Sequence, residues 1–141
     1  MAPFGIHPQL LLDTHDVGRF RLCHVLLHMN ALLPWFILVP ETDCSDLFDL
    51  SDEQRSLLMN EATLVAVFIK EVLGYSKINF ASIGNVVPQL HLHVVGRRPD
   101  DPCWPAAVWG HLQQTEEYSA AELRRLTDLL ARYSTVRAAG Q

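Results

Sequence analysis

Gly84-Asn85-Val86-Val87-Pro88-Gln89-Leu90-His91-Leu92-His93-Val94-Val95-Gly96-Arg97 is the stretch that decides the reading of this chain. Leu90 to Val95 has the composition of a strand, and side chains alternate along a strand. Gln89, His91, His93 and Val95 therefore share one face, and Leu90, Leu92 and Val94 share the other. The apolar face fits against a helix. Two imidazoles and an amide on one face are costly to bury unless that face is wet or forms a binding pocket. Imidazole is also a competent nucleophile near neutral pH, where it is largely unprotonated. Ile83-Gly84-Asn85 reads as the turn that feeds this strand. Gly84 is first a turn glycine, since no glycine-rich phosphate-binding pattern surrounds it.

Outward from this stretch the elements fall in a clear order. Cys23 to Met29 and Trp35 to Val39 are apolar runs separated by Asn30-Ala31-Leu32-Leu33-Pro34, which predicts a hairpin closed by Pro40. The second run is nearly all apolar and predicts a strand buried on both faces. Ser51 and Gln54 fit a capping box that opens a helix. Leu57, Leu58, Glu61, Ala62, Val65, Phe68, Ile69 and Val72 then recur at helical spacing, and Gly74 stands where a C-cap glycine is expected. Lys77 to Ser82 predicts a further strand. After a loop from Gly96 to Gly110, Ser119 and Glu122 form a second capping box. It opens a closing helix over about 119–134, with a frayed tail from Thr135. Residues 1–20 are least legible: Gln9 to Asp13 reads as a short helix or strand, and Asp13 to Gly18 as a turn. A helix between two strand pairs implies an α+β domain with an antiparallel sheet.

The composition bounds the function. At 141 residues and 49% hydrophobic, residues 1–141 form one domain with a real core. A formal charge of −5 argues against nucleic-acid polymers as partner, because those interfaces rest on clustered Lys and Arg. It leaves a single nucleotide open. Met1 to Ile6 lacks the features of a secretory signal, and no apolar run reaches membrane-spanning length, so no membrane association is expected. Cys23, Cys44 and Cys103 are scattered, which makes a reducing cytoplasm the expected location.

The segment Gln89-Leu90-His91-Leu92-His93-Val94-Val95 resembles the signature of the histidine triad family of nucleotide hydrolases and transferases. That signature is His-φ-His-φ-His-φ-φ with φ apolar, and here glutamine replaces the first histidine. The hairpin around Asn30 and Pro34, the central helix and the Asn79-to-Gly84 segment follow the family's order, over roughly residues 22–110. The resemblance implies an α+β, HIT-like fold: an antiparallel sheet of about five strands with two main helices. It implies that His91 attacks the α-phosphorus to form a nucleotidyl-histidine, which water or another acceptor then resolves. His93 would contact the phosphate or the departing group. Gln89 stands where the family orients its nucleophile, and its amide can still hydrogen-bond. Together with His93 and backbone N–H groups of residues 84–88 it would supply donors where charge develops. Asn30 matches the residue that binds ribose hydroxyls. Ser82, Gly84 and Asn85 fall where phosphate or substrate is contacted. Dinucleoside polyphosphates, such as diadenosine tetraphosphate, and nucleoside phosphoramidates are the implied substrates. A homodimer is implied, and no redox cofactor or obligate metal. Many relatives carry a further histidine near the position of Trp35 and Phe36, and this chain has none.

Other readings of the same residues stay open at this level. His91 and His93 can be a satisfied structural pair. His-x-His is also a two-ligand metal unit, for which His24, His28 or Glu41 would have to supply a third ligand. A nucleotide-binding regulator without turnover is the alternative from another class. His24 and His28 read as incidental, Cys23 and Cys103 as packing residues, and Arg97 and Arg98 as a solvated strand end. Trp104 and Trp109 read as covering the core or reaching a partner subunit, with the partner favoured.

Overall fold

The computed structural model describes residues 3–139. Helix α1 (Pro8–Asp13) leads into β1 (Thr14–Arg19), then β2 (Cys23–His28) and β3 (Trp35–Pro40). Helix α2 (Asp52–Glu71), β4 (Lys77–Ala81), β5 (Leu92–Arg97) and α3 (Ala120–Ala139) follow. The five strands form one antiparallel sheet in the order β1-β2-β3-β5-β4. No helix among the described residues is long and apolar enough to cross a membrane.

Both capping boxes are present. Gln54 N donates to Ser51 Oγ at 3.1 Å while Ser51 N donates to Gln54 Oε1. Ser119 and Glu122 make the equivalent pair at the start of α3. Each satisfies N–H groups that a first helical turn leaves without partners.

The alternation in β3 divides the core. Phe36 and Leu38 point toward α2 and α3, with Val25, Leu27, Leu92 and Val94 from the neighbouring strands. Leu58, Val65, Phe68 and Ile69 of α2 close that layer. Trp35, Ile37 and Val39 point the other way and pack with Leu26 and Val95. No long helix covers this second face. Leu10 of α1 and Val108 of the loop after β5 do so instead. All six residues of β3 are buried, as the apolar run predicts. Gly96 lies where β5 and α2 approach closely. A Cβ there would come within 2.5 Å of Ile69 Cγ2 and 2.6 Å of Pro34 Cγ.

Four expectations are corrected. Where a turn is expected over Asp13 to Gly18, Thr14 to Arg19 is an edge strand paired with β2 and interrupted by a bulge between Asp16 and Gly18. Its Asp and Gly suit the bulge and hid the pairing. Regular pairing in β5 begins at Leu92 rather than Leu90, so Gln89 and His91 precede the ladder. Helix α3 continues past Thr135 through Ala139, consistent with the alanines there and the absence of a breaker before Gly140. Arg97 is no solvated strand end. Its side chain is 1% exposed and its guanidinium meets both Asp101 oxygens at 2.8 and 3.1 Å, Asn79 Oδ1 and the Ala106 carbonyl. It fastens the loop that follows β5 to the sheet.

Glu61 is a buried carboxylate with a specific task. It accepts from Leu22 N at 3.0 Å and Cys23 N at 2.8 Å, which joins the start of β2 to the middle of α2. Glu61→Ala leaves two buried N–H groups without partners, and each such group costs roughly 1–3 kcal/mol. The variant should lose about 2–4 kcal/mol in urea unfolding with an unchanged slope. A loss under about 0.5 kcal/mol would show that water replaces the carboxylate.

Candidate active site

The face of the sheet opposite the long helices holds a cavity of about 380 Å³. His91 and His93 line it, with His28, Trp35 and Trp109 beside them. Residues 83–87 and the helix α1 residues Gln9, Leu10 and Asp13 form the remaining walls.

The two motif histidines are 7% and 8% exposed, with ring centroids 5.1 Å apart. Hydrogen bonds fix the tautomer of each. His91 Nδ1 lies 2.7 Å from the main-chain oxygen of Gln89. A carbonyl only accepts, so Nδ1 carries the proton, and in the neutral ring Nε2 keeps its lone pair. His93 has the opposite arrangement. Its Nδ1 accepts from the indole Nε1–H of Trp35 at 2.9 Å, so Nε2 carries the proton. One imidazole thus presents a nucleophilic nitrogen and its neighbour an N–H donor. His28 is stacked on Trp35 with centroids 4.2 Å apart. Its Nδ1 accepts from Asn30 N at 3.0 Å, which makes its Nε2 a donor too. Trp109 packs edge-on to Trp35 and His93, at 5.8 and 5.2 Å.

Burial sets the charge state. Desolvation, with repulsion from His91 and His28, lowers the His93 pKa from 6.5 to about 4. Burial also lowers that of His28, opposed by the charge of Asp13. Burial and the nearby Glu61 push the Cys23 thiol well up, so it is no thiolate nucleophile.

The structure brings some expected site residues together and separates others. His91, His93, Gly84 and Asn85 share the cavity. Gly84 holds φ +66° at the turn into the segment, a conformation that favours glycine. Gln89, Asn30 and Ser82 are not among the described residues that line it. The Gln89 side chain turns to the N-terminal segment, where Oε1 accepts from His7 N and Nε2 donates to Gly5 O, both at 2.8 Å. It is therefore no donor to the cavity; its main-chain carbonyl orients His91. The Asn30 amide is spent on backbone. Oδ1 accepts from Leu32 N and Glu116 N, and Nδ2 donates to Gln114 O. Ser82 is exposed just after β4.

Sequence reasoning missed His28, Trp35, Trp109, Gln9 and Asp13. Two strand residues carried a usable signal. His28 and Trp35 face each other near the hairpin bend, on the same side of the sheet as the motif pair. Trp109, expected at a partner subunit, belongs to the cavity wall. Gln9 and Asp13 offered no signal, because the segment holding them had no assigned place. Among the described residues no group of three or more His, Cys, Asp or Glu is placed to hold a metal ion. His24 is drawn into a cluster with Arg19 and Glu41 instead.

Paired imidazoles of complementary tautomer, on the face of an antiparallel sheet opposite its long helices, define a small α+β domain with a histidine-based site. Comparison agrees. A family model described as the HIT domain matches residues 11–100, and the chain belongs to that family. A histidine triad protein from Bradyrhizobium japonicum is 38% identical, with 92% of this chain and 96% of that one covered and a TM-score of 0.86. One from Sinorhizobium meliloti is 35% identical over 92% and 96%, with a TM-score of 0.87. One from Marinobacter aquaeolei is 37% identical over 92% and 95%, with a TM-score of 0.86. No protein of curated function matches the chain. Family membership supports activity of a nucleotide-binding or hydrolase type in general terms.

The lowered His93 pKa has a consequence for stability. A histidine whose folded pKa lies below its unfolded value binds fewer protons when folded, so its contribution is whole above about pH 6.5 and is lost as pH falls toward 4. His28 acts in the same direction. The protein should lose up to about 3 kcal/mol across that window from His93. His93→Gln, which can still accept from Trp35, should flatten the slope in denaturant titrations. An unchanged slope would mean that His93 takes up its proton in the folded protein at the same pH as in the unfolded chain.

Proposed function

We propose that the chain is a nucleotidyl hydrolase or transferase in which His91 forms a covalent intermediate. The observation that carries this reading is the hydrogen bond from His91 Nδ1 to the Gln89 carbonyl, which leaves the Nε2 lone pair for the cavity. Nε2 attacks the α-phosphorus of a nucleotide, a P–N bond forms, and the bond to the leaving group breaks. The leaving group takes that electron pair and is protonated by solvent. The imidazole becomes cationic and keeps its Nδ1 proton, and the Gln89 carbonyl dipole stabilises that charge. Water then attacks phosphorus, the P–N bond breaks, a proton passes to solvent and the nucleoside monophosphate leaves. His93 Nε2–H is suited to donate to a phosphoryl oxygen throughout. Trp35 keeps it in the donor tautomer. Nucleoside phosphoramidates and dinucleoside polyphosphates are the substrate classes of this reading. A homodimer belongs to it as well, and sedimentation should give twice the mass of the chain; a monomer at high concentration would remove that part.

His91→Ala should lower turnover of adenosine 5′-phosphoramidate at least about 10³-fold with the fold retained. An acid-labile nucleotide adduct should appear on His91 of the parent protein and be absent from the variant. A folded variant with undiminished turnover would sink the nucleophile assignment. Stoichiometric AMP binding without product or adduct in the parent would favour a nucleotide-binding regulator.

A further inference from the structure

Residues 4–13 form an arm across the site face, and Gln89 holds it. Its side-chain amide meets Gly5 O and His7 N, the two groups flanking Ile6, much as a paired strand would. The His7 ring then accepts from Gln9 N and caps helix α1. Phe4 stacks on His24 with centroids 5.4 Å apart, and Leu10 is buried in the site-face core. The arm is thereby fixed, and its helix turns Gln9 and Asp13 to the cavity. Gln9 Nε2 braces both Asp13 oxygens, at 3.1 and 3.2 Å.

We propose that this arm is a specificity filter: Gln89 is the residue that positions it, and the Asp13 carboxylate it presents disfavours substrates that bring phosphate charge beyond the reacting phosphate. The proposal rests on the reading of His91 given above. No Lys or Arg is among the described residues that line the cavity. Arg19 is engaged by Glu41, and Arg97 by Asp101. The other titratable groups facing the cavity are His28, His91 and His93. Desolvation favours the neutral forms of His28 and His93. Asp13 is the one acidic side chain among the described residues that line the cavity. A cavity of this volume is on the order of 10 Å across, about one Debye length at 0.1 M salt, so its charge reaches a bound phosphate chain. A phosphoramidate brings one phosphate to this field, and a tetraphosphate bridge brings four.

The test compares kcat/KM for adenosine 5′-phosphoramidate with that for diadenosine tetraphosphate, at low and high salt. Asp13→Asn keeps the shape and removes the charge. It should shift the ratio toward the tetraphosphate about 5-fold at low salt and flatten its salt dependence. Gln89→Ala should speed hydrogen exchange at the His7 amide and shift the ratio in the same direction. An unmoved ratio in Asp13→Asn, or a salt-independent ratio in the parent, overturns the filter. Faster exchange in Gln89→Ala with an unmoved ratio overturns the positioning role. If the parent turns over neither compound, the reading of His91 has failed. The relative affinity for AMP and ATP across the same variants then decides the filter on its own: a shift toward ATP in Asp13→Asn upholds it, and no shift ends it.

Discussion

The site depends on one hydrogen bond, from His91 Nδ1 to the main-chain oxygen of Gln89. It selects the tautomer and fixes the ring plane at once. It also constrains the backbone. A carbonyl within the sheet ladder would be spent on β3 or β4, so regular pairing has to stop before it becomes available. The ladder does stop there: β3 pairs with β5 no earlier than Leu92, and β4 no earlier than His93. Pro88, which has no N–H to donate, stands just ahead of the freed carbonyl. The two-residue offset between the apolar pattern and the observed strand is therefore the local geometry that the orienting bond requires.

The sheet imposes a second constraint. Its long helices occupy one face, so the site face must be closed by segments with little regular structure of their own. Such segments stay in place only if something ties them down. Polar residues at the two ends of the motif stretch do this. Gln89 holds the N-terminal arm through its side chain, and Arg97 holds the loop after β5 through four contacts and bonds Asn79 of β4 through a fifth. That loop carries Trp109 against His93. The residues that frame His91 and His93 in sequence thus also fasten the walls around them.

Legibility followed periodicity. The β2–β3 hairpin, helix α2 with its capping box and the shared face of His91 and His93 could be read because local pattern and tertiary demand agree there. β1 could not, since Asp16 and Gly18 belong to a bulge that is defined by its pairing with β2. The helix period did reveal Glu61 inside an apolar stripe, but not that it caps backbone N–H groups of another element. Asn30 and Gln89 show the limit of carrying a role across by alignment. Both have the right donors and acceptors, and both are committed to backbone partners. Nothing in a one-dimensional pattern records which partner an amide finds.

The electrostatics of the cavity follow from the same commitments. An arginine ends the motif strand, yet the fold buries it in a fastening role and keeps its charge away from the histidines. In the proposed reaction, stabilisation of a developing oxyanion would then fall to oriented neutral dipoles: the N–H of His93, that of His28 and the main chain of residues 84–87. Dipoles of this kind act strongly where water is excluded, because they are fixed before charge develops. They add no net attraction for a distant polyanion, as a lysine or arginine would. Under the proposed reaction, a site so built would favour the change in charge at one phosphorus over the total charge of the ligand. The burial that keeps His93 neutral serves that preference and, at low pH, costs the fold stability.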